Sequence, residues 1–96
     1  MTHYIALIHK DLDSGYGVSF PDLPGVITGG DSIDEAMQNA PNVLAFAAED
    51  WREQTGMPFP KPRSIDELRK DAAFQRDAVD AIVAAIPLGM KAEAAE

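Results

Sequence analysis

Residues Gly15–Gly25 read GYGVSFPDLPG, and this run decides the fold. Tyr16, Val18 and Phe20 alternate with Gly17 and Ser19, the period of two that marks a half-buried strand. The three large residues belong to a core. The small ones leave the opposite face open to close approach by a second backbone or a partner. Pro21 and Pro24 bracket the turn that follows, and Gly25 closes it.

Working outward, Tyr4–His9 is rich in aromatic and β-branched residues and runs into the polar segment Lys10-Asp11-Leu12-Asp13-Ser14-Gly15. A strand, a polar turn closing on glycine and a second strand make a hairpin. On the other side, Val26–Thr28 supplies a third short strand before Gly29-Gly30. A helix follows. Ser32 with Glu35 three residues later predicts a capping box, and Asp34 and Glu35 place negative charge at the positive end of the helix dipole. Ile33, Ala36, Met37, Ala40, Val43, Leu44, Ala47 and Trp51 then form one stripe at helical spacing, sustained to about Gln54 and ended by Gly56. Pro41 interrupts it. Inside a helix proline removes a hydrogen bond at a cost of roughly 3 kcal/mol; a kink is expected there, in preference to a split into two helices, because the stripe resumes in phase after it.

Met57–Arg63 (MPFPKPR) holds three prolines in seven residues and reads as an extended connector. Ser64-Ile65-Asp66-Glu67 repeats the capping pattern and opens a second, short helix. Residues 78–88 fit two readings: a helix with Val79, Ile82, Val83 and Ile86 on one stripe, or a strand over Ala81–Leu88. Alanine content favours the helix, and Pro87 and Gly89 end either one. The final KAEAAE has nothing to bury and is expected to fray.

The chain has 96 residues, 46 % of them hydrophobic and 25 % charged, the balance of one small globular domain. Its net charge is −8. Such a surface repels phosphate backbones, which bind through basic footprints; its excess of acid either serves solubility alone or draws a basic partner. There is no cysteine, hence no disulfide and no thiolate chemistry. That usage and the lack of a signal-peptide pattern at MTHYIALIHK suit a cytoplasmic protein. The apolar stretches Val43–Ala48 and Ala81–Ile86 are far too short for a membrane span.

No catalytic apparatus assembles from these residues. His3 and His9 share a face of the first strand but lie about 20 Å apart at the rise of a strand, too far to share a metal, and read as edge or surface histidines. Asp11, Asp13 and Asp22 lack the later ligands of a calcium loop and read as polar turn residues. Gly29-Gly30-Asp31 has neither the spacing nor the lysine of a phosphate loop. No metal and no cofactor are expected. Glu49, Asp50 and Glu53 sit near the end of the long helix, where negative charge opposes the dipole; a solvated face is the commoner reading of such a cluster, and an intermolecular role is the alternative.

These residues carry a family likeness. Tyr4-x-Ala6, an acidic turn and Gly15-Tyr16-x-Val18-x-Phe20-Pro21-Asp22-Leu23-Pro24-Gly25 resemble the HicB antitoxin family. So do Thr28-x-Gly30-Asp31-Ser32-x-Asp34-Glu35-Ala36, the long helix, and the proline-rich link into Pro62-x-Ser64-Ile65-Asp66-Glu67-Leu68. The likeness spans roughly residues 3–70, and Ile86-Pro87-Leu88 is similar to the family's closing strand, which turns the tail reading from helix to strand. The resemblance implies an α+β fold: a three-stranded antiparallel β-meander, one long helix and a fourth strand, similar to a partial RNase H-like sheet. It implies a domain over residues 1–90 with a frayed tail at 91–96. It also implies a partner, a HicA-like toxin: a small basic protein that cleaves mRNA and that such antitoxins bind and mask. The alternative is a stand-alone HicB-like scaffold or regulator with no toxin.

Two features depart from the pattern. Antitoxins of this family usually end in a DNA-binding ribbon-helix-helix or helix-turn-helix domain, whereas this sequence stops at Glu96, so direct nucleic-acid binding is not expected of it. Pro41 stands where an unbroken helix former is expected. The residues expected to meet the partner are Gly17 and Ser19 on the small-residue face and Asp22, Leu23, Pro24 and Gly25 in the proline-framed turn, which its prolines hold preorganised. A homodimer or higher homo-oligomer is expected as well, because a short sheet with open edges is usually covered by pairing.

Overall fold

Strand β1, Thr2–Lys10, is the longest of four and lies inside the sheet, flanked by β2 (Tyr16–Ser19) and by β4 (Ile82–Leu88). β3 (Ile27–Gly30) completes the order β3-β2-β1-β4, and every neighbouring pair is antiparallel. This is the α+β meander, helix and fourth strand read from the sequence. The computed structural model describes residues 2–11 and 15–89. The expected frayed tail at 91–96 and Asp13 of the hairpin turn lie outside them.

The sheet is covered on both faces, which explains why β1 is almost continuously apolar instead of alternating. On one face Tyr4, Ala6 and Ile8 join Val18, Phe20, Leu23 and Ile86 against Ala36, Ala40 and Leu44 of helix α1 (Ile33–Thr55). On the other, Leu7 packs with Leu68 of α2 (Ile65–Leu68) and Phe74 of α3 (Ala72–Ala78). Full burial of one such aliphatic side chain contributes roughly 1.5–3 kcal/mol. Register fixes the assignment of faces: Val18 lies opposite Ile8, and Ser19 opposite Leu7.

α1 starts with half of the expected capping box. Ser32 Oγ accepts the Glu35 backbone N–H at 3.1 Å, but the Glu35 carboxylate accepts from the N–H of Asp31 instead of Ser32. The second box is complete: Ser64 and Glu67 satisfy each other's backbone N–H groups. α1 runs unbroken through Pro41, so the split into two helices does not occur. It ends where Gly56 turns left-handed at φ 68° and its N–H caps the Arg52 carbonyl. His3 and His9 are on the inner strand β1, not an edge, and His3 is a surface residue as expected while His9 is half-buried. His9 Nε2 lies 2.8 Å from the Asp77 carbonyl in α3.

The third strand runs Ile27–Gly30, two residues past the expected Thr28. Its glycines are inside the strand because neighbouring backbones come too close for a side chain. A Cβ on Gly29 would lie 2.5 Å from the Tyr16 carbonyl oxygen, and one on Gly30 2.6 Å from the Ala36 nitrogen at the start of α1. The tail resolves as strand β4, with α3 already finished at Ala78. Gly30→Ala is expected to cost about 1–3 kcal/mol, because the obstacle is backbone and cannot swing away. Chemical denaturation of the variant beside the parent chain checks this.

Candidate functional site

The run Phe20–Val26 makes two consecutive turns. The Leu23 N–H bonds the Phe20 carbonyl and the Val26 N–H bonds the Leu23 carbonyl, at 3.0 and 3.1 Å. Each turn has a proline in its second position, where the ring presets the backbone. Gly25, at φ 91°, occupies the third position of the second turn, the signature of a type II turn. Leu23 points inward and is buried with the α1-side core.

Asp22 binds the turn to the connector. Its Oδ2 accepts the Arg63 backbone N–H at 2.7 Å, and its Oδ1 accepts Arg63 Nε at 2.7 Å. The Asp22 side chain retains only 10 % exposure, and a carboxylate that buried needs such donors. Arg63 continues through Nη1 to Asp71 Oδ2 at 2.9 Å, and Asp71 in turn caps α3 through the Ala73 N–H. The Arg63 hydrogen bond, followed by the Ala73 amide, holds the Asp71 carboxyl below its ordinary value of 3.8. The Ser64 backbone N–H and then its hydroxyl hold Glu67 below its ordinary 4.5.

Two aromatic side chains grip the connector further along. Trp51 Nε1 donates to the Pro58 carbonyl at 3.0 Å, and the Tyr4 hydroxyl donates to the Pro60 carbonyl. Between them Phe59 meets the Trp51 ring edge-on at 6.2 Å and the Tyr4 ring at 5.7 Å, separations at which aromatic pairs attract. Burial, and secondarily the negative charge of Asp22, push the Tyr4 hydroxyl pKa up, so it remains a donor.

These contacts enclose an open cleft of about 320 Å³ between the Asp22–Val26 turn, the last turns of α1 (Ala47, Asp50, Trp51) and Phe59-Pro60. Its lining is apolar with a carboxylate at the rim. Beside it, Phe46 projects from α1 with 70 % of its surface exposed. Asn42, Glu49, Asp50 and Glu53 stand three, four or seven positions away on the same helix and so surround it. Among the described residues none of these three acids forms an ion pair. Asp50 Oδ1 accepts from Gln54 Nε2 at 3.3 Å, so these acids, though outside any ion pair, are not all unbonded, and the exposed ring stands among negative charge.

The structure divides the residues expected to meet a partner. Asp22, Leu23, Pro24 and Gly25 gather at the cleft, but only Pro24 and Gly25 are exposed; Leu23 is core and the Asp22 carboxylate is engaged by Arg63. Gly17 and Ser19 lie elsewhere, on the sheet face shared with Leu7 and His9. Phe46 was missed. Its signal was available: it is the aromatic residue of α1 that falls off the apolar stripe. Among the described residues no group of three His, Asp or Glu side chains is placed to hold a metal ion.

A family model described as the HicB_like antitoxin of bacterial toxin-antitoxin systems matches residues 4–95. Antitoxin HicB 1 of Photorhabdus laumondii is 41 % identical over 55 residues, covering 56 % of this chain and 36 % of that one. An uncharacterized 14.9 kDa protein of Haemophilus phage HP1 is 38 % identical over 58 residues, covering 60 % of this chain and 43 % of that one. The matches thus span less than half the length of these relatives. The crystal structure of Burkholderia pseudomallei antitoxin HicB superposes with a TM-score of 0.76 at 27 % identity, covering 94 % of this chain and 65 % of that one. A HicA3 and HicB3 toxin-antitoxin complex contains the same fold, at TM-score 0.73 and 21 % identity, covering 93 % of this chain and 100 % of the matched one.

Two outcomes are expected. Asp22→Ala frees the connector, so the emission of Trp51, the single tryptophan, shifts to the red and the melting temperature falls. Fluorescence during thermal melting reads both. Glu67 and Asp71 have folded pKa values below their unfolded ones, so their stabilisation is present above pH 4.5 and is lost as pH falls through the folded values. Asp71→Asn keeps a capping side chain but not the charge. The melting-temperature gap between parent and variant is therefore widest near neutrality and closes below pH 3.8.

Proposed function

Because this chain belongs to the HicB-like antitoxin family, we propose that it binds and masks a small basic toxin of the HicA type, with the exposed face of α1 as the docking surface. The single observation that carries the surface assignment is Phe46, 70 % exposed in the middle of a helix whose neighbouring positions carry Glu49, Asp50 and Glu53. A ring this exposed gains most from burial by a partner, and centrally placed aromatics dominate interface energetics. The carboxylates supply the steering. A chain of net charge −8 attracts a basic protein from a distance, and an ion-pair rim then fixes its orientation.

Pro24, Gly25 and Trp51 form the far rim of the surface, next to the cleft. The turn is already held by its two internal hydrogen bonds and by Asp22, so little entropy is lost on docking. In this reading Asp22 and Leu23 build the surface from beneath, and the contact falls to their exposed neighbours. Masking requires no chemistry of the antitoxin: occupying the toxin's RNA-binding surface with carboxylates excludes the phosphate backbone. The protein then works in the cytoplasm, beside the mRNA that its partner would cleave.

Binding of a purified HicA-type toxin, encoded beside the antitoxin gene, tests this by calorimetry and by relief of growth arrest on co-expression. Phe46→Ala is expected to weaken binding by about tenfold or more, and the triple change Glu49→Gln, Asp50→Gln, Glu53→Gln by a similar factor that shrinks as salt is raised. Binding unaffected by both variants would reassign the surface, and no binding with unrelieved arrest would remove the toxin-masking reading.

A further inference from the structure

β4 is an edge strand without the usual protection. It spans seven residues, Ile82–Leu88, and pairs on one side only, with β1; among the described residues no strand covers its other side. From Ala81 to Met90 the sequence carries no charge, in a chain that is 25 % charged. Edge strands are normally guarded against self-pairing by lysines, inward charges or brevity. The opposite edge, β3, has such a guard in its length of four residues, two of them glycine. On β4 only Pro87, near the strand's end, interrupts the row of backbone donors. Exposed apolar side chains stand at the start of the strand and just before it: Val79, at the end of α3, is 76 % exposed, Ile82, opposite Ile8, 45 % and Val83, on the other face opposite Leu7, 44 %.

We infer that β4 is the self-association interface, pairing antiparallel with β4 of a second copy to make one continuous sheet through both molecules. Three observations select a second copy as the occupant. Antiparallel pairing about a two-fold axis makes any strand edge its own complement, so no other sequence is needed. Val83 and Ala85 lie on the α2–α3 side of the sheet, opposite Leu7 and Ile5, and both are exposed; two-fold pairing stacks them beside their counterparts and removes apolar surface from water. Charge argues the same way. Each copy carries −8, so two copies repel except where an uncharged strip meets an uncharged strip, and β4 is that strip. A basic toxin finds no carboxylate there, whereas α1 offers three. The two surfaces are separate, so the edge does not depend on the assignment of α1.

Sedimentation velocity of the full chain at micromolar concentration tests this, together with the double variant Val83→Lys, Ala85→Lys and with Phe46→Ala. The parent chain is expected to sediment as a dimer that tightens as salt screens the repulsion, opposite in sign to toxin binding. The lysine variant is expected to dissociate at least about tenfold more readily, although its net charge is less negative and general repulsion is therefore weaker. Phe46→Ala is expected to remain dimeric. Hydrogen exchange of the parent chain provides a reading that needs no variant: protection of the Ile82–Ile86 amides rises with protein concentration. A monomeric parent chain overturns the inference. So does a dimer lost in Phe46→Ala but kept in the lysine variant, or β4 exchange independent of concentration. A monomer whose lysine variant fails to bind toxin would assign the edge to the toxin and overturn it equally.

Discussion

Everything in this fold depends on one crossing. α1 covers one face of the sheet and α2–α3 the other, so the chain between them has to pass around the end of the sheet. The residues that do so, Met57–Arg63, are proline-rich and extended. A chain of that kind has no internal hydrogen bonds, and its polar groups need partners from elsewhere. Trp51 takes the Pro58 carbonyl, Tyr4 the Pro60 carbonyl and Asp22 the Arg63 amide. Those three come from α1, β1 and the β2–β3 turn, so the crossing ties three elements together. Through Arg63 and Asp71 it also sets where α3 begins, and α3 leads directly into β4.

The local parts of this arrangement were legible in the sequence, because local signals produce them. Alternation at Tyr16–Phe20, the Ser64–Glu67 capping box, Gly56 as the helix end and the proline-rich connector all act over a few residues. What was not legible depends on partners far along the chain. Asp22 looks like a polar turn residue or a contact for a partner, and nothing nearby shows that Arg63, forty-one positions on, holds its carboxylate. Gly29 and Gly30 look like a strand terminator until the approach of β2 and α1 makes glycine necessary inside the strand. Residues 78–88 are ambiguous for a different reason: alanine propensity and an edge position pull in opposite directions, and pairing with β1 decides. Likewise the turn was recognisable mainly because it builds the fold, and the exposed group beside it, Phe46, belongs to another element.

Charge distribution then separates two surfaces. The carboxylates near the end of α1 stand against the helix dipole, with Arg52 the basic residue of the last turn. In the proposed reading, a basic partner would relieve their mutual repulsion. β4 has the converse character: no charge, open backbone groups and exposed aliphatic side chains. If both proposals hold, a second copy would sit at one surface and a toxin at the other, and self-association would bring two toxin-binding faces into one particle without competition between them.

The most direct measurement is hydrogen exchange combined with side-chain footprinting of the complex with a co-purified HicA-type toxin, against the antitoxin alone at equal concentration. The account predicts new protection along Asn42–Glu53 and at Pro24-Gly25, with Phe46 and Trp51 shielded and β4 unchanged. New protection confined to β4, or spread over the Gly17–Ser19 face with Phe46 still open, would contradict it.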